Sequence, residues 1–163
     1  MAIPSSLREV ALADLRRPHP FAFERVGFFT ATAGALADGV VLLPFDYIVV
    51  PDDGYMPDEE FGALLNAGAF RLARQRARSQ RVSVVHVHLH EHTGLPGFSS
   101  IDRRETDHFM PDFLKVRPDL PHAALVFSDD RATARCWTSV SPDAFDVQEV
   151  VFVGPHLLKS THA

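Results

Sequence analysis

Apolar residues recur at Leu7, Val10, Leu12 and Leu15 in SSLREVALADLRR, and this spacing predicts a short amphipathic helix with a serine cap, ended by Pro18 and Pro20. FERVGFFTATAGALADGVVLLPFDYIVV then reads as two β-rich runs, with Asp38-Gly39 suited to a tight hairpin turn between them. Pro51 and PDDGYMPD predict a loop. In DEEFGALLNAGAFRLARQRARSQ the acids open a helix, Phe61, Leu64, Leu65 and Leu72 form one face, and arginines close it. RVSVVHVHLH has the branched, near-continuous apolar run of a strand. SSIDRRETDHFM opens as a second long helix, with a serine followed three residues later by an acid, and Pro111 is expected to bend or end it. HAALVFS and TARCWTSV read as another hairpin, and VQEVVFVG as a last strand. Strands and helices in this order predict an α/β chain, a mixed β-sheet flanked by helices.

Composition narrows the class. At 163 residues, 46% of them hydrophobic and 23% charged, the expectation is a single domain spanning residues 1–163. A net charge of −5 gives no global electrostatic reason to expect nucleic acid as a partner. No stretch approaches the ~20 apolar residues a membrane helix needs, so no membrane association is expected. MAIPSSLREVALADLRRPHP has no apolar stretch behind a basic one, so no secretory signal is expected. The lone Cys136 excludes an internal disulfide and, by itself, a thiolate cluster. A reducing, cytoplasmic setting is the expectation.

Chemistry concentrates in VVHVHLHEHTGLPGFSSID, which holds four of the nine histidines. On a strand, His86, His88 and His90 point to one side, close enough for neighbours to share a metal ion. Scattered histidines commonly do no more than decorate a surface. Here, however, a loop and a helix start follow, bringing Asp102 back over the strand end as a third ligand. Three protein ligands with one open position is the pattern of a catalytic zinc site. Other metal motifs fail on the residues. There is no His-Glu-x-x-His helix, and one cysteine excludes the deaminase pattern. The chain is too short for an amidohydrolase barrel, and Glu91 breaks the His-x-His-x-Asp-His pattern.

HLH, eight residues, then SSID resembles the JAMM signature of the JAB/MPN metalloproteases, His-x-His, about seven residues, Ser-x-x-Asp. The gap is one residue longer than in the family, and Glu91 stands where the family often has proline. His88/His90 gives the separation nearest to the family's, with His86/His88 and His90/His92 as the alternatives. ERVGFF is similar to the family's glutamate strand, and HAALVFSDDRATARCW to its strand pair after the zinc helix, so the likeness runs from about Phe21 to Trp137. It implies an MPN/JAB fold of the cytidine-deaminase-like kind, with Zn2+ held by His88, His90 and Asp102. It further implies Glu24 as acid/base and Ser99 as an oxyanion or water contact, a serine that equally suits a helix cap. His86 and His92 then become packing and loop residues, and His108 and His122 have no role.

The same resemblance implies a substrate. JAMM enzymes cleave peptide or isopeptide bonds after the C-terminal tail of ubiquitin or ubiquitin-like proteins. Compact members of this kind are similar to the deconjugating peptidases of bacterial ubiquitination-like antiphage operons, which also carry activating and conjugating enzymes. Expected partners are therefore a ubiquitin-like modifier, its conjugates and those two enzymes. Maturation of ubiquitin-like sulfur carriers is the second enzymatic expectation. A zinc-free MPN scaffold is the non-enzymatic one, and it predicts missing ligands. The arginines at 71, 74, 76, 78 and 81 read as a solvated face, while Phe109, Met110, Phe113 and Trp137 read as core. Four histidines crowded on one strand should repel when protonated, weakening metal-free protein below about pH 6.5.

Overall fold

The computed structural model describes residues 1–18, 20, 23–57, 62–141, 143–155 and 158–161. The chain opens with β1 (Ala2–Pro4) and α1 (Ser5–Leu15), then forms β2 (Val26–Leu36), β3 (Gly39–Val49), β4 (Tyr55–Met56) and β5 (Leu64–Leu65). There follow α2 (Ala67–Gln80), β6 (Ser83–Leu89), α3 (Ser100–Val116), β7 (His122–Phe127), β8 (Ala132–Trp137), β9 (Phe145–Asp146), β10 (Glu149–Val153) and β11 (Leu158–Thr161). The main sheet runs β3-β2-β6-β7-β8-β9. It is mixed: β6 and β7 are parallel, and the other neighbours are antiparallel. A smaller sheet, β1-β10-β11, lies on the α1 side. The mixed α/β architecture with three flanking helices is the one the element order predicts.

Strand β6 explains how one short run serves two cores. Val85, Val87 and Leu89 join the apolar cluster containing Leu12 and Leu15 of α1. Val84 joins the opposite cluster, with Ala73 of α2 and Met110 and Phe113 of α3. Period-two alternation therefore turns His86 and His88 toward the α2/α3 face. Every residue of β6 is buried, which is why the run reads as almost continuously apolar.

Several expectations change in detail. Pro4, not a serine, precedes α1, and no side chain caps that helix. Val10 is exposed, so Ala11, Leu12 and Leu15 carry the buried stripe. The β2–β3 turn is Ala37-Asp38 rather than Asp38-Gly39, because Leu36 pairs with Gly39. Helix α2 starts at Ala67, where the Asn66 side chain accepts from the N–H groups of Gly68 and Ala69. Leu64 and Leu65 belong instead to a ladder with Met56 and Tyr55, and Phe61 and the acids at 58–60 lie outside the described residues. The buried face of α2 is Ala69, Ala73 and Ala77, a flat stripe that lets the helix approach the sheet closely, while Leu72 is exposed. Pro111 sits within α3, which continues to Val116. Strand β10 is not the last, since β11 follows it. Met110, Phe113 and Trp137 are buried as expected. Among the described residues, no helix is long and apolar enough to cross a membrane.

Candidate metal centre

Three elements deliver the site. Strand β6 ends at Leu89, so His88 is its penultimate residue and His90 the first beyond it. The His90 N–H donates to the Phe127 carbonyl (2.9 Å), extending the β7 pairing just past the strand end. The 91–98 loop is tied to the β7–β8 turn: Ser128 Oγ donates to the Gly94 carbonyl (2.6 Å), and Asp130 Oδ1 accepts from the Gly94 N–H (2.7 Å). Gly94 has φ +92°, a backbone conformation that favours glycine. The loop delivers Ser99 as the N-cap of α3. Ser99 Oγ accepts from the Asp102 N–H (3.1 Å), and Asp102 Oδ2 accepts from the Ser99 N–H (2.6 Å), a reciprocal capping box. Glu24 arrives from the segment just ahead of β2.

These side chains converge. Glu24, His88 and His90 offer ligand atoms that all lie within 4.8 Å of one another, and the group could hold a metal ion. Asp102 closes the other side: its Oδ1 is 3.5 Å from His88 Nε2 and its Oδ2 is 3.5 Å from His90 Nε2. Glu24 thus stands within ligand range of both histidines, nearer the centre than a glutamate acting only from outside the ligand set need be. His86 and His92 are outside the group. His86 packs between Phe28 and Phe109, and His92 is an exposed loop residue whose ring meets the Thr93 carbonyl. Ser99 touches Asp102 through the cap.

The donor set suits a cation. Both ring nitrogens of His88 are buried, Nδ1 without a hydrogen-bond partner and Nε2 with only the Asp102 carboxylate at 3.5 Å, and the residue is only 3% exposed. A buried, unsatisfied polar atom costs about 1–3 kcal/mol, a cost removed when a cation takes the nitrogen lone pair. Two imidazoles with carboxylates form the nitrogen–oxygen set used by zinc and its first-row neighbours.

The electrostatics point the same way. Burial alone would raise the Asp102 carboxyl, but His88 and the Ser99 cap prevail and hold it well below the usual carboxylate range. Burial pushes Glu24 above its usual value; His88 opposes this and Asp102 adds to it. Burial, then the neighbouring His88, lowers His90. The same two causes lower His86 to about 3, so that ring stays neutral.

The centre lies at the junction of two clefts that share Glu24. One, of about 340 Å³, is walled by Val26, Leu65, Phe70, Ile101 and Phe109 and reaches His88. The other, of about 650 Å³, reaches His90 and carries Arg16, Arg17 and Arg25. Phe109, expected purely as core, therefore also faces a cleft. Gly62, on which Glu24 rests, escaped the sequence reading, for the chain carries no local sign of that long-range contact.

A scan against models of known protein families finds no match to this chain, and a search of curated proteins finds none either. The chemistry rests on the site's own geometry.

Proposed function

We propose that this chain is a JAMM-type metallopeptidase of the JAB/MPN kind, with zinc bound by His88, His90 and Asp102. Its proposed reaction is hydrolysis of the peptide or isopeptide bond after the C-terminal tail of a ubiquitin-like modifier. The observation that carries the reading is the convergence of Glu24 on His88 and His90 within 4.8 Å, with Asp102 against both imidazoles. A scaffold that had lost its metal would have no use for two imidazoles converging with two carboxylates, one of the imidazoles buried.

A divalent ion bound there supplies Lewis acidity and lowers the pKa of a coordinated water from about 15.7 toward about 7. Glu24 takes the proton from the attacking water and later gives it to the departing amine. Its raised affinity for a proton suits both halves of that task, because a carboxyl that holds a proton can also deliver one. Asp102, held ionised, would complete the ligand set beside the two imidazoles. Ser99 Oγ accepts in the helix cap and keeps its O–H as a donor toward the developing oxyanion.

The two clefts give an extended chain a path across the centre. An apolar wall lies on the His88 side, and the His90 side is polar, with Arg16, Arg17 and Arg25, each ion-paired to an aspartate, beside Glu24 and Glu91. A flexible tail can lie along such a path by main-chain contacts, which suits a modifier terminus better than a folded surface. Deconjugation in a bacterial ubiquitination-like antiphage system is the proposed setting, with the activating and conjugating enzymes as co-workers.

The test is direct. Purified protein is assayed for zinc per chain by mass spectrometry and for cleavage of modifier fusions with and without chelator. Stoichiometric zinc and chelator-sensitive cleavage are expected, with Glu24→Gln keeping the metal and losing nearly all turnover. Full turnover in Glu24→Gln, or cleavage indifferent to chelation, overturns the proposal.

A further inference from the structure

Glu24 is fixed from outside the metal centre by the segment that precedes α2. Its backbone N–H donates to the Gly62 carbonyl at 2.8 Å. The Glu24 carboxylate occupies the space where a side chain at position 62 would begin. A Cβ built on Gly62 would meet Glu24 Oε2 at 2.8 Å, Cδ at 2.9 Å and Oε1 at 3.3 Å. The backbone does not require glycine here, since Gly62 is not among the residues with positive φ. What a side chain lacks at this position is room.

The same stretch is anchored to the strand that follows Glu24. The Asn66 N–H donates to the Gly54 carbonyl (2.9 Å), and Tyr55 and Met56 pair with Leu65 and Leu64. The buried Tyr55 hydroxyl donates to the Val26 carbonyl and accepts from the Val26 N–H, both at 3.0 Å. One clasp therefore sets the relative position of Gly62 and of the strand start two residues beyond Glu24.

We propose that Gly62 is a positioning residue for Glu24: its missing side chain makes the seat in which the carboxylate is held toward His88 and His90. This rests on the reading of Glu24 as the proton carrier. A methyl group at position 62 pushes the tip of a flexible side chain, so it costs little stability but moves the carboxylate. A misplacement of about 1 Å at a reacting group costs on the order of 100-fold in rate.

The experiment compares metal-loaded wild type, Gly62→Ala, Glu24→Gln and the double variant in the full chain. The readouts are kcat and KM on a modifier fusion, metal content, and the visible absorption of the Co2+-substituted proteins. Gly62→Ala is expected to lose about 10–100-fold in kcat, with KM and metal content within about twofold of wild type. The double variant is expected to be no slower than Glu24→Gln, and Gly62→Ala is expected to perturb the cobalt spectrum. Unchanged kcat in Gly62→Ala, or a double variant slowed by the product of the two single effects, overturns the proposal. If wild type cleaves no fusion, the hydrolase reading fails separately, and the spectra decide the positioning: a shift in Gly62→Ala upholds it and a wild-type spectrum overturns it.

Discussion

Three imidazoles at alternate positions meet different fates because the strand ends beneath them. His86 lies within β6, enclosed by Phe28 and Phe109, with its ring centroid 5.7 Å from that of His88. His90 lies one step past the strand, 21% exposed, with its Nε2 toward Asp102. Removing His90 therefore removes a proposed ligand, whereas replacing His86 alters a packing contact. His90→Ala is expected to lose zinc affinity by orders of magnitude, and His86→Phe to lose about tenfold at most, the low end of the range for residues around a metal site, because His86 makes only packing contacts there. Isothermal titration of the apoprotein checks both, and the reverse ranking would move the site two residues toward the strand interior. The shared side of His86, His88 and His90 was legible because a strand's period is two, the choice of His88/His90 only through the spacing of the JAMM signature, and Ser99 and Asp102 because a capping box leaves a three-residue signature. Glu24 was legible only through the likeness of ERVGFF to a family strand. Gly62 was not legible, since its role is a contact made 38 residues away from Glu24 in the chain.

At the scale of elements, α3 matters through its first turn. The Ser99–Asp102 box satisfies two N–H groups: the Ser99 hydroxyl accepts from the Asp102 N–H, and the Ser99 N–H holds the Asp102 carboxylate beside the histidines. An N-cap of this kind contributes about 1 kcal/mol. Ser99→Ala is expected to lower unfolding stability by about that amount and to weaken metal binding as well, because the Asp102 backbone N–H loses its acceptor and the first turn that keeps the Ser99 N–H against the carboxylate loosens. Ser99→Thr, which still caps, is expected to restore both, measured by urea denaturation with and without zinc. Loss of stability with unchanged metal affinity would show that the cap does not hold the ligand. Elements with strong local signals, β2, β3, β6, β7, β8 and the start of α3, were readable in the chain. Helix α2 began later than its apolar pattern implied, because Asn66 caps it and Leu64–Leu65 find partners in Tyr55–Met56. Strands β1 and β11 carry too few residues for a pattern, and each exists through its pairing with β10.

Across the whole molecule, burial is the first cause that lowers His86, His90 and His122, ahead of the repulsion from His88 felt by the first two. His122 is fully buried at the start of β7, away from the metal centre, and its Nδ1 accepts the Val84 N–H at 3.0 Å, which requires that nitrogen to carry no proton. Burial lowers its pKa from 6.5 to about 4, against the backbone contacts with Arg117 and Val84 and the Asp119 charge, and with the Arg117 charge acting in the same direction. The unfolded chain then binds a proton that the folded chain refuses. The stability from this residue is complete above pH 6.5 and falls as the pH drops toward about 4, by about 3 kcal/mol in all at 1.36 kcal/mol per pKa unit. His122→Asn keeps an acceptor for the Val84 N–H but has no proton to gain. Unfolding free energies of chelator-treated wild type and His122→Asn, followed from pH 8 to pH 4, should therefore converge as the pH falls, with wild type losing more. His86 is lowered by burial in both proteins, so a residual acid slope in the variant is expected. Parallel curves would show that His122 takes no part, and the acid sensitivity would then belong to the histidines of the metal centre.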